Sequence, residues 1–347
     1  MVLNPRAFEE TRNGRQQTTD GLWLHRGQLM VKTGPVELPD GSIGNAELGA
    51  DTARANLLTN GGFEIWQRGN GPFTAAGAYF ADRWYIGTVN AGDTFSISRS
   101  TGATTDKSFA NANVTYTRST GGSNLQQHMG AANGDSTPQL IGRTLSFSVR
   151  VNTSVASAIA AGIYDDVNGF RWGNYHSGAG GYETLTMTAP VAPTAVQVRV
   201  GIKFDQTAFA YLDNAMLVVG PVPADYAPLH PADDLARCQR YYELIVSGTA
   251  NTHIATAQAG SAVAAFAPII FRTPKAVTPT VTNSAHADFR LYAANTTLLT
   301  MTGFSASGIS LLGCATTLAV ASGLVAGDAS VLLTATSNAR ISVEANA

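Results

Sequence analysis

The segment Gly169-Phe170-Arg171-Trp172-Gly173-Asn174-Tyr175-His176-Ser177-Gly178 carries the side-chain types that hold a sugar. Aromatic rings cover the C–H faces of a pyranose, and planar polar groups take its hydroxyls. Trp172 and Tyr175 would supply the rings. Arg171, Asn174 and Asp166, just upstream, would supply the polar groups. Its glycines predict a turn-rich loop after Ile163-Tyr164-Asp165-Asp166. The same residues equally suit a loop whose Trp172 plugs a contact between subunits. Glycoside hydrolysis would need two carboxylates facing one bond. Asp165 and Asp166 are adjacent and would point to opposite faces of a strand. Asp233 and Asp234 are better placed as the acidic first turn of a helix. No nucleophile elbow, HExxH, P-loop or zinc spacing occurs. The six histidines, His25, His128, His176, His230, His253 and His286, are dispersed. No catalytic residue is expected.

Composition narrows the classes further. Only 13% of the 347 residues are charged, and the formal net charge is −2. A phosphate-neutralising stripe is missing, and so is a polybasic membrane-surface segment. Cys238 and Cys314 are too few for a disulfide framework and read as small buried hydrophobes. Met1 to Gln17 holds Arg6, Glu9, Glu10, Arg12 and Arg15 and lacks the apolar stretch of a signal peptide. Leu311 to Val325, the most apolar run, is interrupted by Gly313, Ser322 and Gly323 and is too short to span a bilayer. Synthesis in a cytoplasm, without membrane insertion, is expected. With 35 glycines and abundant Thr, Ser, Ala and Val, the chain has the makings of short strands and tight turns.

The elements that must position these residues are mostly strands. Leu145–Val151 and Val196–Phe204 alternate apolar and polar residues, which wets one face and buries the other. Phe95–Ser98 and Val114–Tyr116 repeat the pattern more briefly. With Gly-, Asn- and Ser-rich turns between them, they predict an antiparallel sandwich. Trp66, Trp84 and Tyr85 fall on strands and read as core. One helix is predicted over Pro231–Leu244, with Leu235, Cys238 and Tyr242 on its buried face. Beyond it, Phe289/Leu291, Val331/Leu333 and Ile341/Val343 are the expected inward pairs. Residues 1–55 hold two short β-like pieces, Leu22–His25 and Leu29–Val31. They have too few large apolar residues for a core of their own, which suggests ordering against another chain.

Two motifs resemble a known family. Asn56-Leu57-Leu58-Thr59-Asn60-Gly61-Gly62-Phe63-Glu64-Ile65-Trp66-Gln67-Arg68-Gly69, followed by Ala81-Asp82-Arg83-Trp84, resembles the opening of jelly-roll domains in appendage proteins of tailed bacteriophages. It is also similar to the start of carbohydrate-binding modules of the galactose-binding-like type. Tyr211–Gly220, with Pro223–Pro228 and Arg237-Cys238-Gln239-Arg240-Tyr241-Tyr242, resembles their closing strand and the linker helix that follows. Asp40–Leu48 resembles the stalk of trimeric phage fibres. The motifs bracket residues 56–242. In related jelly rolls an early Glu and a late Asp help to hold a structural calcium. The matching positions here are Glu64 and Asp213, for which the plainer reading is two carboxylates hydrogen-bonded to backbone.

The expected chain is therefore mainly β. Residues 1–55 form a virion anchor and trimeric stalk, 56–229 an antiparallel β-sandwich jelly roll, 230–245 a linker helix and 246–347 a second small β-sandwich. The resemblance implies a non-enzymatic homotrimeric fibre in the virion, assembled in the host cytoplasm. It would be held through residues 1–55 by another virion protein and attach to a bacterial surface glycan. The alternatives are a capsid or tail decoration protein such as a head fibre, and a polysaccharide-degrading tailspike. The latter is disfavoured by the lack of a stacked repeat. No nucleic acid is expected as a partner, and no cofactor beyond that calcium.

Overall fold

The computed structural model describes residues 55–101, 106–129, 137–245, 248–294 and 297–346, together with the backbone of four strands nearer the N-terminus. Those four are β1 (Glu9–Glu10), β2 (Arg15–Gln17), β3 (Leu22–His25) and β4 (Gln28–Val31). They pair in sequence order as an antiparallel meander, so both β-like pieces read from the sequence are strands of one hairpin. The stalk-like stretch Asp40–Leu48 lies outside the described residues. Met1–Leu48 and Gly49–Ala347 are separate compact units.

The larger unit opens with ten strands: β5 (Tyr85–Ile86), β6 (Thr94–Ser100), β7 (Asn111–Thr117), β8 (Ser123–His128), β9 (Thr144–Asn152), β10 (Ile159–Asp165), β11 (Gly169–Tyr175), β12 (Tyr182–Pro190), β13 (Val198–Phe204) and β14 (Ala208–Val219). They form two five-stranded antiparallel sheets, in the orders β11-β10-β13-β8-β5 and β12-β9-β14-β7-β6. This is a jelly-roll sandwich. Alternation explains its core. Val198, Val200, Ile202 and Phe204 are fully buried, as are Leu145, Phe147, Val149 and Val151 across from them. Ser146 and Ser148 are buried as well, because residues 220–224 cross the back of β9 and accept their hydroxyl hydrogen bonds through the carbonyls of Gly220 and Ala224.

Helix α1 (Pro231–Gln239) starts as expected, with Pro231 in the first turn, Asp233 and Asp234 at the positive end of the dipole, and the His230 ring capping Ala232 N–H. It ends five residues before the predicted Leu244. Tyr242–Leu244 is instead a strand, β15, because its backbone finds a partner in the C-terminal strand. The buried face also differs. Leu235 is exposed, and Asp234 turns inward with Cys238, since its carboxylate accepts the Asn60 N–H at 2.8 Å.

The remaining strands are β16 (His253–Ala259), β17 (Ala264–Ile270), β18 (Thr280–Asn283), β19 (Phe289–Ala293), β20 (Leu298–Ser307), β21 (Gly313–Val320), β22 (Ala329–Thr334) and β23 (Ile341–Glu344). Where a small sandwich was expected, six of them close into a barrel in the order β16-β17-β21-β20-β19-β22, because β22 pairs with both β16 and β19. Strands β15, β23 and β18 form a separate three-stranded sheet beside it. Phe289, Leu291, Ile341 and Val343 point inward as predicted. On β22 the inward set is Ser330, Leu332 and Thr334, one residue out of step with the expected Val331 and Leu333. The Ser330 hydroxyl finds Ala257 O and the Thr334 hydroxyl Thr249 O, so the inward polar groups are satisfied. Among the described residues no helix is long and apolar enough to cross a membrane.

Candidate functional site

The Asn56–Arg68 motif is first of all an architectural device. Asn56 closes the sandwich, donating to Ala215 O at 2.9 Å and accepting from Leu217 N at 3.0 Å on β14. Asn60, in the left-handed region at φ 55°, accepts from Glu64 N and Ile65 N and donates to Ile65 O and Asp82 O. A side chain at Gly61 would place its Cβ 2.3 Å from Ala215 O, which only glycine avoids. Trp66 and Trp84 lie outside the strands on which they were expected, but both are buried and donate their indole N–H to Phe63 O and Asn60 O, so they are core residues as expected. Tyr85 is half-buried and lies on the outer face of its sheet.

The end of this motif meets the end of the second one. The Arg68 guanidinium stacks 3.6 Å above the Tyr242 ring and pairs with Glu344 at 2.5 Å and with buried Asp82 at 3.5 Å. Arg83 repeats the arrangement, 3.6 Å above Tyr241, and donates to Asn346 Oδ1 and His128 O. Gln67 donates to Tyr242 O and to Asp82. These motif residues clamp the jelly roll to the β15–β23 sheet. Burial raises the Asp82 carboxyl to about 6, against the opposing pull of Arg68.

Glu64 and Asp213 both hold the segment 106–109. Glu64 accepts the Phe109 N–H at 2.8 Å. Asp213 accepts from the Ser108 hydroxyl, Asn214 N and Asp106 N, and pairs with Arg150 at 3.2 Å. Burial raises both carboxyls. Both Asp213 oxygens and Glu64 Oε1 are engaged by N–H and O–H donors or by the Arg150 guanidinium, a donor set that suits hydrogen bonding and does not fit a calcium ion. The two residues act as a hydrogen-bonded strap.

The predicted glycan residues separate into two groups. Gly169–Tyr175 is not a loop but the edge strand β11. Gly173 answers close approach, since a Cβ there would lie 2.1 Å from Thr186 O of the opposite sheet, whereas Gly169 serves the turn with φ at 73°. Arg171 turns away from Trp172, pairs with buried Asp165 at 2.5 Å and donates to Pro190 O. Asp166 accepts from Val196 N and Gln197 N, both at 2.9 Å, and these bonds hold its carboxyl below the usual range. These two side chains fasten the turn between β10 and β11. Asn174 is exposed. Trp172 and Tyr175 lie on the outer face of the sheet, where Tyr175 meets Asp205.

That face holds what the sequence reading missed. Cross-strand register sets out three rows: Phe170–Tyr164–Arg199–His128, Trp172–Gly162–Gly201–Gln126–Tyr85 and Tyr175–Ala160–Lys203–Asn124. Half-exposed rings touch one another in a belt, with centroids 5.4 Å apart for Tyr79–Tyr85, 5.2 Å for Tyr85–His128, 5.0 Å for Tyr164–Phe170 and 4.5 Å for Phe170–Trp172. Arg199 bridges the two halves, 4.8 Å from the Tyr164 centroid. Gly162 and Gly201 form the floor. A Cβ at Gly162 would meet Trp172 Cε3 at 2.3 Å, and one at Gly201 would meet Phe170 Cε1 at 2.6 Å. An interior strand glycine at position 201, inside an otherwise alternating run, was the available signal.

No protein-family model matches this sequence, and no curated protein matches it. Among solved structures, the chain is similar to the CBM22-1 and GH10 modules of endo-1,4-beta-D-xylanase 10B from Clostridium thermocellum complexed with xylohexaose. Identity there is 14% and the TM-score 0.31, over 40% of this chain and 26% of that one. The enzymatically active domain of tailspike protein 4 from Bacteriophage CBA120 gives 11% and 0.34, over 48% of this chain and 21% of that one. A family 61 carbohydrate-binding module in complex with beta-1,4-galactotriose gives 10% and 0.32, over 48% of this chain and all (100%) of that one. The chain thus spans only about a quarter or less of the first two.

Proposed function

We propose that this protein is a non-enzymatic fibre protein of a tailed-bacteriophage virion whose jelly roll attaches to bacterial surface glycan. The observation that carries the binding reading is the belt of rings on the outer face of the β11-β10-β13-β8-β5 sheet. Tyr164, Phe170 and Trp172 leave part of their apolar ring surface open to solvent on the outer face of the sheet. Aromatic surface of that kind, rimmed by amides and hydroxyls, suits the alternating C–H and O–H faces of a saccharide.

The virion and fibre reading is supported by the resemblance of the Asn56–Trp66 and Asp213–Tyr242 motifs to phage appendage proteins. Residues 1–55 would anchor the chain to another virion protein, and the assembled fibre would be a homotrimer. Exposed apolar side chains on the barrel, Phe266, Ile270 and Leu312, at 53%, 78% and 61% exposure, suit contacts between copies. The non-enzymatic reading is supported by the commitment of the jelly roll's buried carboxylates to turns, straps and clamps. The test is retention of the purified protein in gels containing host surface polysaccharide. Retention of the wild type and at least tenfold weaker retention of Trp172→Ala are expected. Equal retention of a correctly assembled Trp172→Ala protein would remove the belt from the function.

A further inference from the structure

We infer that the ring belt selects acidic saccharides, with the guanidinium of Arg199 receiving a ring carboxylate of a uronate; this rests on the glycan reading above. Arg199 stands in the middle of the sheet face, between Tyr164 of β10 and His128 of β8. Its hydrogen-bond partners are neutral amides: Nη2 donates to Gln197 Oε1 at 2.6 Å and Nη1 to Gln126 Oε1 at 3.3 Å. Its Nε is buried and has no partner. Among the described residues no carboxylate forms an ion pair with it, whereas the other cation on the face, Lys203, is neutralised by Asp205 at 2.7 Å. Arg171, two strands away on β11, is likewise paired with Asp165.

The Tyr164 ring compensates a half-buried arginine without a counter-ion only in part, and a ligand carboxylate would offset the remaining cost. The planar guanidinium fits a carboxylate through two parallel hydrogen bonds, and Nη1 and Nη2, which each give one N–H to a neutral amide, keep a second N–H for it. The local field agrees. The His128 ring, 5.2 Å from Tyr85, titrates at about 4, first through burial and then through the positive charges of Arg199 and Arg83. The pyranose ring of a uronate joins a C–H face to a carboxylate held at a fixed distance. The belt offers the same pair, the Tyr164 ring and the guanidinium whose carbon lies 4.8 Å from its centroid.

The experiment titrates the full chain with polygalacturonate, alginate and hyaluronate. Each is paired with its carboxyl-reduced form, and a panel of neutral polysaccharides is run beside them. We expect at least one uronate to bind tenfold or more tighter than its reduced form, a preference that weakens as salt screens it. Arg199→Gln should bring that ratio close to one, and Arg199→Lys, which keeps the charge but loses the fork, should leave an intermediate ratio. A ratio near one in the wild type would overturn the inference while leaving glycan binding intact. A preference that survives Arg199→Gln would overturn the assignment to Arg199. Binding of no polysaccharide, acidic or neutral, by the folded protein would overturn the glycan reading and this inference together.

Discussion

Replacing Arg68 by Met should destabilise the clamp between the jelly roll and the C-terminal sheet, and by more at pH 8 than at pH 5. The Arg68 side chain is 13% exposed and faces Asp82, which is 1% exposed, at 3.5 Å. Asp82 titrates at about 6 in the fold against an ordinary value of 3.8. A raised carboxyl binds more protons folded than unfolded, so its contribution falls as pH rises from about 4 to about 6. A rise from 3.8 to about 6 corresponds to roughly 3 kcal/mol across that window. Removing the cation that holds this carboxyl down moves its folded pKa higher still. Below pH 6 the proton replaces the lost cation at Asp82, and the variant should lose the stacking on Tyr242, about 1–2 kcal/mol, and the partly exposed pair with Glu344, about 0–1 kcal/mol. Above it the variant keeps weakening where the wild type has levelled, towards the ~3–5 kcal/mol of a broken buried pair. Urea titrations followed by tryptophan fluorescence at the two pH values would read both losses. Equal losses at pH 5 and pH 8 would refute the electrostatic account, and no loss at either would refute the clamp.

Other expectations follow from the same geometry. Gly162→Ala should push the Trp172 ring off its floor, costing about 1 kcal/mol of folding stability but weakening glycan retention as much as Trp172→Ala does; unchanged retention would contradict that placement. Asn56→Ala removes the bonds that tie the segment opening the jelly roll to β14 and should cost about 2–3 kcal/mol in a urea titration. Calcium or a chelator added to the purified protein should leave the melting temperature unchanged, since Asp213 is paired with Arg150; a rise with calcium would show that the strap rearranges around the ion.

Much of the fold is legible in alternation, and the exceptions have physical causes. Val196–Phe204 reads as one wet and one dry face and is so from Val198 onward, because every apolar residue there faces the opposite sheet. On β22 the same rule slips by one residue, since the interior accepts Ser330 and Thr334 once backbone carbonyls satisfy their hydroxyls. The predicted helix overran because Tyr242 continues its apolar spacing while the backbone at 242–244 is claimed by β23. The site was harder to read. Trp172 and Tyr175 were visible as types, but Tyr164 and Gly162 join them only through the β10–β11 register, and Arg199 and Gly201 only through pairing with β13, a strand distant in sequence. Arg171 and Asp166, which look equally suited to a sugar, serve the turn because alternation and a pair of backbone N–H groups point them elsewhere.

Acrylamide quenching of tryptophan fluorescence, with and without saturating host polysaccharide, tests the ring belt most directly. Of the four tryptophans, Trp66 and Trp84 are buried and Trp172 is half open on the proposed face. Glycan should shield a quenchable component that Trp172→Phe removes. Shielding that persists in Trp172→Phe, or tight binding with no shielding, would place the glycan elsewhere on the molecule.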